Sequence, residues 1–186
     1  MRGALKIGIL AGLGILAWKL RTQMAQAGRS PSGATPSTGE EPTGYDPMLL
    51  DDEQRQAADL IIMKATAAGL DPNFMLALAV TESSLRPAAI GDDGVSVGLF
   101  QINTRFSPDY SITDLQDASL NAELAMSMMQ SLRAEFPGYT YADYAEAWTL
   151  GGNGRFNLLR RNPPKVAALR RAVTDLGLNL DINGVA

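Results

Sequence analysis

From Met48 onward apolar residues recur at helical spacing, and each run is bracketed by start and stop chemistry. Ala58, Ile61, Ile62 and Ala65 share one face of a predicted helix. Asp51, with Gln54 three residues later, has the pattern of a capping box ahead of it, and Gly69 stops it. Asp71-Pro72 opens a second helix, an N-cap followed by proline at a position where no N–H is needed. Its Met75, Leu76, Leu78, Ala79 and Val80 are apolar nearly all round, so it is expected to run through the core. It must end before Pro87, since the proline ring disfavours helical geometry in the preceding residue. Between Ala89 and Gly98 short alternating runs flank Asp93-Gly94, which predicts a hairpin. Thr113 with Gln116 predicts a helix running to about Arg133, with a Leu120, Leu124, Met128, Leu132 stripe and with Met126, Met128 and Met129 as core filler. Thr140 and Asp143 start another helix, through Ala145, Ala147, Trp148 and Leu150, which Gly151-Gly152-Asn153-Gly154 ends. Asn162-Pro163 starts the last, with Val166, Leu169, Val173 and Leu176 as its face and Gly177 as its stop. The expected class is mainly α (α+β), a helical domain with a small β-hairpin.

The front of the chain has a different pattern. Residues 1–27 hold Lys6, an uncharged run from Ile7 to Trp18, then Lys19 and Arg21. Crossing about 30 Å of hydrocarbon takes roughly 20 residues, although Ala4, Leu5, Leu20 and snorkelling lysines extend the reach of this run. It reads as a membrane anchor or a signal segment, with Ala25-Gln26-Ala27 as a small-residue cleavage site for the second reading. Residues 28–47 are rich in Gly, Ser, Thr and Pro and read as a flexible linker. Residues 48–186 form the folded domain.

Composition narrows the chemistry. The chain carries 16 Lys and Arg against 20 Asp and Glu. The four basic residues of the first 27 have no acid among them, so the body from Gly28 onward is the acidic part. An acidic body argues against a nucleic-acid partner, whereas a cationic, apolar front end argues for a membrane. The absence of cysteine and histidine excludes thiol nucleophiles and histidine triads and removes the commonest zinc ligand; neither a metal nor a cofactor is expected. Carboxylates are left for acid/base work. Glu82 falls in the last turn of the buried second helix, where the negative helix end and an apolar surround both disfavour its anion. A neutral carboxylic acid near neutral pH is what protonating a glycosidic oxygen requires. Asp92 and Asp93 are read as turn residues, with a second catalytic carboxylate or a metal contact as the alternative.

Glu82-Ser83, then Gly98-Leu99-Phe100-Gln101-Ile102, then Asn121 in a helix with Leu124 and Leu132, then Ala147-Trp148-Thr149-Leu150-Gly151 leading to Gly154-Arg155, resemble the ordered motifs of the soluble lytic transglycosylase (SLT) domain family. The similarity covers roughly Met48 to Arg161. It implies a lysozyme-like fold related to goose-type lysozyme, with the hairpin beside the active-site cleft. It also implies peptidoglycan glycan strands as substrate and non-hydrolytic cleavage of the MurNAc-GlcNAc β-1,4 bond with formation of 1,6-anhydroMurNAc. By the same resemblance Glu82 is the single catalytic acid, and Ser83, Gln101, Asn121, Trp148 and Thr149 are substrate-binding.

The chain departs from the family pattern in one motif. Where the family has Ala-Tyr-Asn-Ala-Gly, this chain has Ala147-Trp148-Thr149-Leu150-Gly151. An indole, which donates one hydrogen bond and accepts none, replaces a phenol. Tyr139, Tyr141 and Tyr144 are candidates to compensate and equally fit packed aromatics. Goose-type hydrolysis, with Asp92 or Asp93 orienting a water, is the alternative reaction. A membrane-tethered structural or docking protein that keeps the fold and loses the chemistry is the alternative class. The front segment and tether suit a phage virion protein, or an enzyme facing the periplasm beside a secretion or conjugation apparatus.

Overall fold

The computed structural model of the chain describes residues 47–150 and 163–186. The segment 1–27, the linker as far as Asp46 and the run from Gly151 to Asn162 lie outside the described residues. So do the expectations attached to them. Among the described residues no helix is long and apolar enough to cross a membrane.

Among the described residues, a 3-10 turn at Pro47–Leu49 is followed by six α-helices: α1 (Asp52–Ala67), α2 (Pro72–Ser83), α3 (Ile112–Gln116), α4 (Ala118–Glu135), α5 (Tyr141–Leu150) and α6 (Pro163–Asp175). Between α2 and α3 three two-residue strands, β1 (Ile90–Gly91), β2 (Ser96–Val97) and β3 (Ile102–Asn103), form an antiparallel sheet in the order β1-β2-β3. The helices dominate and the sheet is minor, as the patterning predicts, and this agrees with the α-rich, lysozyme-like fold that the resemblance implies.

The caps explain where the helices begin. Asp51 accepts from the N–H of Gln54 at 2.9 Å while the Gln54 side chain accepts from the N–H of Asp51 at 3.0 Å, a complete capping box for α1. Asp71 accepts from the N–H groups of Asn73 and Phe74 to open α2. Thr140 and Asp143 make the same reciprocal pair ahead of α5. Two unpaired N–H groups of the first turn of α5 reach the C-terminal tail, Tyr141 to Gly184 O and Ala142 to Ile182 O.

Two expectations are corrected. The helix expected to be capped by Thr113 is capped by Ser111 and begins at Ile112, the Ser111 hydroxyl and the Asp114 carboxylate forming the capping box. It ends after five residues, because Asp117 adopts extended geometry and caps a new helix through the N–H of Leu120 at 2.7 Å. Of the Leu120, Leu124, Met128, Leu132 stripe only Leu124 is buried. The inward face of α4 is carried by Asn121, Ala122, Leu124, Ala125, Met126 and Met129. The hairpin around Asp93-Gly94 is present, and β3 joins it as a third strand.

Helix α2 is the centre of the core. Phe74 to Ala79 are all buried, with α1 on one side and α6 on another, and each large apolar side chain there contributes roughly 1.5–3 kcal/mol. This burial fixes the far end of the helix, where Glu82 sits.

Candidate active site

Glu82 is the penultimate residue of α2 and its side chain is only 12% exposed. The chain leaves the helix abruptly behind it. Ser84 and Leu85 adopt left-handed geometry with φ of 53° and 61°, uncommon for residues with a Cβ, and Leu85 is fully buried. Such backbone persists only where packing over-determines it. Here Gln54 Nε2 donates to Ser84 O at 3.0 Å, and Arg86 pairs with Asp51 at 2.5 Å and Glu53 at 2.8 Å. The cap of α1 thus clamps the turn that ends α2.

Burial pushes the Glu82 carboxyl above the ordinary glutamate value of 4.5. Its nearest described partner is Lys165, whose Nζ stands 2.5 Å from Glu82 Oε1 and whose side chain is 11% exposed. The ammonium pulls the value down, and the charge of Asp92 pushes it up. Desolvation outweighs the lysine, so the net direction is upward.

The other side chains converge on the turn from Gly98 to Gln101. Ser83 Oγ donates to Leu99 O at 2.8 Å, fastening the residue after Glu82 to that turn. Asn121 is fully buried, and its Oδ1 accepts from the N–H of Phe100 at 3.0 Å. Asn121 Nδ2 donates to Leu115 O at 2.7 Å and Val97 O at 3.0 Å. Gly98 has φ of +80°, and a Cβ there would press into the Asn121 carboxamide, with Cγ at 2.7 Å, and into Leu115 O. Gln101, at φ 49°, donates from Nε2 to Gly98 O at 3.0 Å and Ala89 O at 3.3 Å. Its Oε1 occupies the space that a Cβ on Gly91 would take.

Trp148 reaches the same turn from α5. Its indole N–H donates to Phe100 O at 3.0 Å, and its ring meets Phe100 edge-on with centroids 6.0 Å apart. Phe100 is therefore held at both backbone polar groups, by Asn121 and by Trp148. Thr149 stands apart, its hydroxyl donating back to Ala145 O in its own helix at 3.2 Å.

The assignments divide accordingly. Ser83, Gln101, Asn121 and Trp148 share the turn beside the end of α2, and Thr149 makes no described bond to them. Asn121 has no exposed surface to offer a sugar; it shapes the turn instead. None of the three tyrosines supplies the missing phenol. Tyr141 OH donates to Asp71 Oδ2 at 3.1 Å, at the opposite end of α2, and burial first, then Asp71, pushes it up to about 12. Tyr144 OH donates to Phe136 O at 2.7 Å, and Tyr139 stacks on Phe136 with centroids 5.1 Å apart. Asp92 and Asp93 are turn residues with φ of 49° and 55°, Asp92 accepting from Ser96 Oγ at 2.5 Å. Among the described residues no acidic cluster suited to a metal ion occurs.

Lys165 is the residue that the apolar patterning of α6 passes over. A signal for it exists in the sequence, because it follows Pro163-Pro164 in the first turn of α6, at the positive end of the helix, where a cation is disfavoured. A lysine in that place calls for an anionic partner from elsewhere.

No curated protein and no solved structure gives a significant match to the chain. The family model described as the transglycosylase SLT domain matches residues 59–153, which spans α1 to α5 and includes Glu82, the Gly98–Gln101 turn, Asn121 and Trp148. With just over half of its length covered by that model, this chain belongs to the SLT transglycosylase domain family.

Proposed function

We propose that the protein is a peptidoglycan lytic transglycosylase in which Glu82 is the acid and then the base. The observation that carries this reading is a carboxyl buried at a helix C-terminus with its proton affinity raised, beside a turn held by Ser83, Asn121, Gln101 and Trp148. Protonated Glu82 gives its proton to the oxygen between N-acetylmuramic acid and N-acetylglucosamine. The C1–O bond breaks, and the muramyl N-acetyl carbonyl stabilises the oxocarbenium-like centre. The Glu82 carboxylate next takes the proton of the muramyl 6-hydroxyl, whose oxygen closes the 1,6-anhydro ring. The acid is regenerated without water and without a second protein carboxylate, unlike the two-carboxylate glycosidase scheme.

Hydrolysis in the manner of goose-type lysozyme is the second reading, favoured by the charge of Asp92 acting on Glu82. A structural or docking role for the same fold draws its support from Trp148, whose one donor is spent on Phe100 O. The basic, apolar residues 1–27 and the linker 28–47 support a membrane-tethered enzyme, working at the periplasmic face or in a phage particle that opens the wall locally. Glu82→Gln tests the enzyme reading: it keeps the size of the side chain and loses the transferable proton. Clearing zones in a peptidoglycan gel are expected from the wild type and none from the variant, whereas equal clearing by both would end the reading.

A further inference from the structure

We propose that Lys165 is the positioning residue of the Glu82 carboxyl, fixing which oxygen carries the transferable proton and stabilising the carboxylate left when that proton is given away. The inference rests on the transglycosylase reading for its chemistry and on the Lys165–Glu82 contact for its geometry. An ammonium has three donors and no acceptor. The oxygen it touches therefore cannot aim a proton at it, so with Nζ 2.5 Å from Oε1 the acidic proton rides on Oε2.

The two charges are each at the wrong end of a helix. Glu82 closes α2 at its negative end and Lys165 opens α6 at its positive end. Neither helix favours the charge it carries, and the pairing across their junction compensates both. Among the described residues, the charged groups from the surrounding elements that act on Glu82 are Lys165 from α6 and Asp92 from the β1–β2 turn. From the α1 side, Arg86, Asp51 and Glu53 are engaged with one another. Lys165 is thus the described cation placed to offset burial and Asp92.

Through the reaction the proton that moves belongs to Glu82. Glu82 loses one to the glycosidic oxygen, stands as a carboxylate against Lys165, and regains one from the 6-hydroxyl. Lys165 lies beyond residues 59–153, so the carboxyl is trained by a helix that the family model does not reach.

The test compares pH profiles of sacculus clearing by the full-length wild type, Lys165→Met and Lys165→Arg. Removing the charge should move the alkaline limb of Lys165→Met upward by about one pH unit or more, since an opposite charge at this range lowers a carboxyl by roughly 1–3 units. The rate below the limb should fall as well, and Lys165→Arg should keep the limb near that of the wild type. A limb that stays in place or moves down in Lys165→Met overturns the proposal. A second measurement needs no variant and no turnover: in the wild type the Lys165 15Nζ resonance should step at the same pH as the Glu82 13Cδ resonance. Absence of that step overturns the proposal even where the chain is a working transglycosylase, and a shared step upholds the coupling even where Glu82→Gln clears normally and the enzyme reading fails.

Discussion

Asn121 and Phe100 are joined by a buried hydrogen bond, 3.0 Å from the backbone N–H of Phe100 to Asn121 Oδ1, and this bond sets the turn that faces the end of α2. The same amide serves Val97 O and Leu115 O through Nδ2, so one side chain satisfies three backbone groups around Gly98. Replacement by alanine orphans all three, at about 1–3 kcal/mol for each buried group. Asn121→Ala is expected to lose about 3 kcal/mol or more in chemical denaturation. Asn121→Asp should be equally damaging, because a carboxylate facing two carbonyls is an acceptor against acceptors. Stability within 1 kcal/mol of wild type for either variant would contradict this account of the turn.

Trp148 makes a narrower contribution. Trp148→Phe keeps an aromatic ring beside Phe100 and removes the donor to Phe100 O. A loss of about 1–2 kcal/mol is expected from the broken hydrogen bond and reduced packing, with clearing slowed and not abolished. Abolition of clearing in a fully folded Trp148→Phe would mean that the indole does more than hold the turn.

Glu82 ties stability to pH with a defined sign. Its folded-state value is raised, so the folded chain binds the proton more tightly than the unfolded chain does. The stability this contributes is complete below the ordinary glutamate value and is lost as pH rises through the raised value. Glu82→Gln cannot titrate. The melting temperature of the wild type minus that of Glu82→Gln should therefore fall as pH rises across that window. A difference that rises there would show that the lysine, and not burial, sets the net shift.

Local chemistry made much of this fold legible in the sequence. The Asp51/Gln54 box, the Asp71-Pro72 start and the Thr140/Asp143 pair are bonds between residues three apart or less, and each was readable without knowing the fold. The break at Asp117 was harder to read, because the apolar spacing runs through it. Of the candidate site, the place of Glu82 at the end of α2 was legible from helix-boundary chemistry, and the Gly98–Gln101 segment entered through the resemblance to the family motifs. The buried role of Asn121 and the Lys165 pairing were not, because both depend on contacts between residues 21 to 83 positions apart. Asn121 entered as a substrate-binding residue through the family resemblance, and its full burial assigns it to the turn instead.

In the proposed mechanism Glu82 both gives and takes the proton. Mass spectrometry of the muropeptides released from purified sacculi tests it most directly, with the wild type and Glu82→Gln run side by side. Wild-type products are expected to end in 1,6-anhydroMurNAc, lighter by one water than reducing ends, and the variant is expected to release none. Reducing ends from the wild type, or anhydro ends from Glu82→Gln, would contradict it.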